Sequence, residues 1–281
     1  MKIAITGANG QLGSALLRNA PGNVSLLPVT RKDFDIRDLK ALQGFIAEER
    51  PDILINTAAF HNTVECEENR DLCILINSFI PLFMAILTEK YGGFVAFIST
   101  DYVFDGEKKG ELYYEDDNPN PLNVYGYSKF LGESLISEKV KKFYIFRTSS
   151  LFGRTIRKDG NFVLKILNKA KKGETIRVVN DIYMTPTYSE DAARMMWEVI
   201  ENGYSSGIYH VSNTGVVSWY EFSKKILEIS GISGEVRPIS HEELGEKIKR
   251  PLWSPLGSRK LRPERFWGEA LKEYLEVLKD G

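Results

Sequence analysis

The sequence predicts an α/β fold, a doubly wound parallel sheet followed by a smaller C-terminal lobe. Two observations carry that expectation. Apolar runs of strand length alternate with amphipathic helical stretches through the first half of the chain. The first of those runs, over residues 2–6, leads straight into Gly7-Ala8-Asn9-Gly10-Gln11-Leu12-Gly13 and then into a helical pattern. No linker rich in Gly and Ser divides the 281 residues, so one large domain or two closely joined lobes are expected.

The elements follow in order. Residues 2–6 form a buried strand, and a helix over 11–20 is stopped by Pro21-Gly22. A strand over 24–29, a helix over 39–50 halted by Pro51 and a strand over 52–56 continue the alternation. Residues 65–91 read as a long helical region with a kink or break at Pro81. A strand over 93–99, a helix over 125–139 and a strand over 143–147 complete the regular half. Right-handed crossovers then place every strand's carboxyl end on one edge, where ligands bind. The second half is less regular. It contains a helix over 161–171, a strand over 175–179, a helix over 189–202 and a strand over 207–211. A helix over 218–230 has Ser218 as its N-cap, and a tail over 250–263, punctuated by Pro and Gly, precedes a last amphipathic helix.

Composition removes several function classes. The formal net charge is −1, with 43% hydrophobic and 27% charged residues. That balance lacks the basic stripe of a nucleic-acid binder, and Lys139, Lys141 and Lys142 read as a solvated helix end. Cys66 and Cys73 stand seven residues apart. On a single helix that spacing is about 10 Å along the axis, too far for a disulfide. The apolar start is too short for a signal peptide, and no uncharged run reaches the roughly 18 residues of a membrane helix. A cytoplasmic protein with no membrane partner is expected. His61, His210 and His241 lack any paired spacing, so no metal site is expected. His210 reads as packed, His61 as within reach of the third strand's edge, and Met195, Met196 and Trp197 as core.

The glycine loop points to a dinucleotide. Gly7 permits the tight turn, Gly10 lets a pyrophosphate approach the backbone, and Gly13 allows close packing of helix on sheet. The free N–H groups at the helix start then favour phosphate. This is a Rossmann-type arrangement, and its G-x-x-G-x-x-G spacing resembles extended short-chain dehydrogenases. The predicted division is a dinucleotide-binding domain over 1–148, with about 174–211 returning to it, and a substrate-binding lobe over 149–281. After the second strand stands Thr30-Arg31-Lys32 rather than an acid. An acid there would bind the ribose hydroxyl of NAD, whereas Arg31 suits the 2′-phosphate, so NADPH is expected, with NADH as the alternative.

Tyr125 and Lys129 form a Y-x-x-x-K pair that shares one helix face. An ammonium beside a phenol favours the phenolate, and the tuned phenol can then give a proton to a ketone oxygen as hydride arrives. Lys129 is also placed to bond the nicotinamide ribose. Ser99-Thr100 ends the fourth strand, which puts the Thr100 hydroxyl at the ligand edge to orient a carbonyl. Tyr127 is a second phenol without a lysine at that spacing.

Taken together, these segments resemble the dTDP-4-dehydrorhamnose reductases over almost the whole chain. The likeness rests on Gly7–Gly13, Asp35-Ile36-Arg37-Asp38, Asn56-Thr57-Ala58-Ala59 and Ser99-Thr100-Asp101-Tyr102-Val103-Phe104-Asp105-Gly106. It extends through Pro121–Lys129, Gly132-Glu133, Arg147-Thr148-Ser149, Asn161-Phe162, Thr185-Pro186-Thr187 and Arg250-Pro251. The resemblance implies reduction of the 4-keto group of a nucleotide-linked 6-deoxysugar, dTDP-4-dehydro-L-rhamnose above all. It implies Thr100, Tyr125 and Lys129 as the catalytic triad. Gln11, Leu12, Asp35, Ile36, Ala58, Ala59 and Phe60 would line the dinucleotide, and Thr100 and Asp101, with Ser150, Asn161 and Trp253, would line the sugar.

Three departures stand out. Ser150 occupies the place of a tryptophan that stacks on substrate in relatives, Phe60-His61 replaces Tyr-Thr, and Trp253 takes a usually polar position, where it either replaces the stacking ring or serves as core. Ala15 stands where some relatives carry an acid for Mg at a dimer contact, so no such metal is expected; a homodimer is compatible with the sequence. Tyr102 replaces the second acid of a nucleotide-sugar dehydratase. Two other readings use the same residues: a nucleotide-sugar 4-epimerase, and a non-catalytic NADP-binding regulatory subunit resembling that of methionine adenosyltransferase.

Overall fold

A computed structural model of the chain describes residues 1–155, 160–245 and 248–279. The first half alternates as its periodicity requires: β1 (Lys2–Thr6), α1 (Gln11–Arg18), β2 (Ser25–Val29), α2 (Leu39–Glu49), β3 (Ile53–Asn56). Three helices follow, α3 (Thr63–Glu68), α4 (Arg70–Ile74) and α5 (Ile80–Lys90), then β4 (Phe94–Thr100), α6 (Val124–Lys139) and β5 (Phe143–Thr148). The second half comprises β6 (Leu151–Phe152), α7 (Phe162–Lys171), β7 (Ile176–Val179), β8 (Tyr183–Met184) and β9 (Thr187–Tyr188). It continues with α8 (Ser189–Glu201), β10 (Gly207–His210), β11 (Val217–Ser218), α9 (Trp219–Ser230), β12 (Val236–Ile239), α10 (His241–Leu244) and α11 (Trp267–Lys279).

Six strands pair in the order β10-β5-β4-β3-β1-β2, all parallel. The chain steps from β1 outward to β2 and then reverses to β3, so a crevice opens beyond the carboxyl ends of β1 and β3. Pro28 is tolerated because β2 is an edge strand. One face of the sheet is covered by α1 and α8, with Leu16, Met196 and Val199 fully buried and Trp197 Nε1 donating to Leu16 O at 3.1 Å. The other face is covered by α2, α5 and α6. A second cluster, built on Val163, Phe222, Leu271 and Tyr274, forms the core of the smaller lobe.

Three expectations change. The strand over 175–179 does not rejoin the large sheet. Its residues pair with β12 and bury Ile176 and Val178 in the lobe core, so the return to the sheet is made by α8 and β10 alone. The region over 65–91 is not one helix either, because Asn69 breaks it between α3 and α4. That break brings the thiols of Cys66 and Cys73 into hydrogen-bonding contact, where a single helix would have kept them about 10 Å apart. Finally, the stretch Arg70–Lys90 is long and apolar enough to cross a membrane by length and composition, which the count of uncharged residues understated. Half of that stretch is buried, with Ile80 and Met84 in the sheet-facing cluster.

Pro81 acts differently from a simple kink. A π-helical turn, Leu75–Phe79, precedes it. Proline has no N–H to give the carbonyl four residues back, here that of Asn77. The wider turn presents that carbonyl to α6, and only glycine fits opposite: a Cβ on Gly132 would lie 2.5 Å from Asn77 O. Gly132→Ala should therefore lower stability by about 1–3 kcal/mol, read as a shift of the urea midpoint. Gly22→Ala, whose added carbon meets nothing within 4 Å, should leave the midpoint in place.

Candidate active site

The crevice at the strand ends is a cavity of about 980 Å³. Its floor is the glycine loop. Gly7 has φ +71, and a Cβ there would meet Ala58 N at 2.9 Å. Gly13 does not line the cavity; a Cβ on it would lie 2.4 Å from Gly7 O, so it works by letting α1 close on the loop. Gly10 caps α1 without a side chain, which leaves the first-turn N–H groups to a ligand. This cradle, too narrow for any Cβ and open at a helix start, fits a dinucleotide's pyrophosphate.

The other wall residues come from separate strand ends. Gln11, Leu12, Arg31, Asp35, Ile36, Ala58, Ala59 and Phe60 line the cavity together with Gly7 and Gly10. His61 lines it as well. Arg37 grips the Asp35 carboxylate through its Nε and Nη2, the latter at 2.6 Å, and holds the Asp35 carboxyl down at about 2. Ser99 Oγ and Thr148 Oγ1 are buried without a partner on residues that face the same space. Such orphaned hydroxyls are uncommon, and a ligand in the cleft would satisfy them.

Thr100, Tyr125 and Lys129 meet at this cavity. Asn123 caps α6 by accepting from Gly126 N at 2.9 Å, which sets the helix start two residues before Tyr125. Gly126 lets that turn dock: a Cβ there would lie 2.1 Å from Tyr102 O. The Thr100 hydroxyl donates to Asp101 Oδ1 at 3.2 Å, and the Tyr125 phenol lies within interacting reach of the Thr100 oxygen. Lys129 lies 2% exposed with its Nζ 4.1 Å from the centre of the Phe97 ring. Burial pushes Lys129 down to about 7, against the pull of the Glu133 carboxylate. The lowering of Tyr125 expected from the lysine is reversed. Burial, with the Asp101 charge, holds the phenol well above its ordinary value, and the Thr100 hydroxyl opposes this only in part.

The residues expected at the sugar divide. Ser150 and Asn161 line the cavity. Ser150 has φ +45, a left-handed conformation that costs a non-glycine residue of order 1–3 kcal/mol. Asn161 caps α7 through Leu164 N and gives its amide to Gly153 O and Tyr274 OH. Asp101 lies behind the wall rather than on it. Its Oδ2 accepts from Ser254 Oγ at 2.5 Å, and burial raises its carboxyl to about 6. Trp253 is placed away from the cavity: its ring packs on Tyr183 at 5.1 Å and its Nε1 donates to Glu111 O at 2.6 Å. It therefore supplies no stacking surface in place of the missing tryptophan; of the two roles open to it, the core one fits.

Sequence patterning missed Asn77. Its amide donates to Phe60 O at 2.8 Å and to Ser128 Oγ at 3.0 Å, while its Oδ1 accepts from Phe60 N at 3.0 Å. The signal was present as a buried asparagine four residues before a proline, though nothing in periodicity gives a π turn away.

Comparison with known proteins agrees with this geometry. The family described as RmlD substrate binding domain matches residues 1–279. The chain is 38% identical to the spore coat polysaccharide biosynthesis protein SpsK of Bacillus subtilis strain 168, over 98% of this chain and 97% of that one. A crystal structure of a dTDP-4-dehydrorhamnose reductase from Clostridium acetobutylicum superposes with a TM-score of 0.94 at 38% identity, covering 99% of this chain and 100% of that one. The dTDP-4-dehydrorhamnose reductase of Bacillus anthracis, solved in complex with NADP, superposes with a TM-score of 0.93 at 36% identity, covering 98% and 99%. A glycine cradle at the sheet's switch point, a strand-end Thr100 and the Tyr125–Lys129 helix face thus belong to a member of the RmlD substrate binding domain family.

Proposed function

We propose that the chain reduces the 4-keto group of a nucleotide-linked 6-deoxysugar with NADPH, most directly dTDP-4-dehydro-L-rhamnose to dTDP-L-rhamnose. The observation that carries this reading is the convergence of Thr100, Tyr125 and Lys129 on the cavity that the glycine loop floors. Relatives of near-full length named as reductases of that sugar support the substrate, and the NADP-bound relative supports the cofactor.

A bound nicotinamide would supply the hydride. The chain's own residues manage the oxygen. The Thr100 hydroxyl turns toward the ketone oxygen and holds it beside Tyr125. The Tyr125 phenol, kept protonated by burial, gives its proton to that oxygen. Lys129 faces the same space; its ammonium form offsets the phenolate left behind, and its N–H groups would reach the ribose of a bound dinucleotide. The free helix start at Gly10 would receive the pyrophosphate, and Arg31, which lines the same cavity, would meet the 2′-phosphate. Ser150 leaves room beside the sugar rather than stacking on it.

Tyr125→Phe removes the proton donor and keeps the ring. NADPH oxidation with dTDP-4-dehydro-L-rhamnose should fall by roughly 10²–10⁴-fold. Turnover unchanged by that substitution would refute the mechanism. Arg31→Ala should raise KM for NADPH several-fold and leave KM for NADH in place; equal effects on both cofactors would remove Arg31 from 2′-phosphate recognition.

A further inference from the structure

Glu133 stands one helical turn after Lys129 on α6, so the two share a face. Both are 2% exposed. The Glu133 carboxylate is gripped at two points by Arg147 of β5: Nε to Oε1 at 2.9 Å and Nη2 to Oε2 at 2.6 Å. Arg147 is itself buried, its guanidinium 5.1 Å from the centre of the Phe104 ring and its Nη1 3.5 Å from His210 Nε2. His210 Nδ1 lies 2.8 Å from Gly257 O, so Nδ1 carries the hydrogen and Nε2 accepts from Arg147. His210 is therefore neutral, as burial and the Arg147 charge both require.

This leaves one carboxylate shared by two buried cations, Arg147 by direct contact and Lys129 along the helix face. The other titratable groups around Lys129 do not replace it. Tyr125 is a protonated phenol on the same helix. Cys66 of α3 lies against Phe60 O and Cys73 of α4 against Ser128 Oγ; contact with the Cys66 thiol pulls the Cys73 thiol down to about 7, so Cys73 gives Lys129 a second anion, weaker in its effect than Glu133. Glu67 of α3 is turned to Val124 N at the start of α6. Asp101, beyond β4, faces Tyr125 and Ser254. Among the described residues the Lys129 ammonium donates no hydrogen bond, and β4 offers it only the Phe97 ring.

We propose that Glu133 is the positioning residue of Lys129, the counter-charge that favours its ammonium form at the cleft, and that Arg147 is the clamp that fixes Glu133 there. The alternative is that the Glu133–Arg147 pair merely ties β5 to α6. A tie of that kind would affect stability and leave the titration of Lys129 where it is. The proposal assigns Lys129 the part it has in the reduction proposed above, and its test does not need that substrate.

The test is competitive labelling of the full-length protein with trace acetic anhydride across a pH series, with the Lys129 peptide quantified by mass spectrometry. Only the neutral amine reacts. Glu133→Gln removes the anion, so the neutral form appears earlier and the labelling midpoint should move down by about one pH unit. Because that variant leaves Arg147 buried and unpaired, the double variant Glu133→Gln/Arg147→Met provides a form with neither charge, and its midpoint should move the same way. Glu133→Asp, which keeps the charge one carbon further back, should restore most of the wild-type midpoint. A midpoint unmoved in the folded double variant would overturn the proposal. If the 4-ketosugar is not turned over at all, the labelling midpoints still decide the point. If it is, the alkaline limb of kcat should follow the labelling to lower pH.

Discussion

The cleft depends on the side-chain amide of Asn77. That amide bonds both the N–H and the carbonyl of Phe60, and it donates to Ser128 Oγ, which in turn donates to Tyr125 O at 2.8 Å. The loop after β3, which forms one wall of the cavity, is thereby held at a set distance from the turn that carries Tyr125 and Lys129. Asn77 can reach both because it lies in the π turn and faces inward between α6 and the sheet. A helix of ordinary pitch would rotate it relative to Leu72 and Ile76, which line the cavity from the same helix. Replacing the amide with an apolar group would strand the Phe60 backbone groups, each at a cost of about 1–3 kcal/mol. The contact is therefore a structural necessity and a distance gauge for the site at once.

Burial then decides the protonation of everything that gauge brings together. Tyr125 and Asp101 are pushed up and Lys129 is pushed down, each toward its neutral form. For a proton donor this is the useful direction, since a phenol held protonated has a proton to give. The same low dielectric strengthens the field of any charge that survives there. A lysine that stays cationic next to a newly formed phenolate acts with more force than it would in water. Retention of the proton and stabilisation of the group after it leaves thus have one physical source, provided that Lys129 has an anion in reach.

What the sequence made legible were features set by local chemistry. Gly7, Gly10 and Gly13 are dictated by a turn, a helix start and a close approach, all within seven residues, and the structure has the turn at Gly7, the helix start at Gly10 and the close approach at Gly13. The Tyr125–Lys129 face follows from helical pitch alone. Features that depended on long-range packing were not legible. Residues 175–179 look like any half-buried strand, and nothing in them says that β12 rather than β10 is their neighbour. Asp101 follows Thr100 and was expected to share its exposure to substrate. The short 3-10 turn Asp101–Val103 instead rotates it inward, onto a serine 153 positions away. Trp253 was weighed as a substitute stacking surface by residue type, yet its position is set by the bridge it makes to Tyr183. The two cysteines looked separated because the break at Asn69 carries no proline or glycine to announce it.

Three consecutive residues at the end of β4 explain why the lobe and the catalytic edge form one unit. Thr100 faces the cavity, Asp101 bonds Ser254, and the Tyr102 hydroxyl accepts from Arg250 Nη1 at 3.0 Å. Asn123, the cap of α6, reaches the same segment by donating to Lys249 O at 2.9 Å. Gly106 completes the seam, since a Cβ there would lie 2.8 Å from Leu252 N. The segment over 249–254 is thus fastened to the strand end that carries Thr100 and to the cap of the helix that carries Tyr125. Any displacement of that segment must pull on Thr100 or on the start of α6. The Thr100 hydroxyl, the Tyr125 phenol and this segment of the lobe keep a common register because they share these bonds.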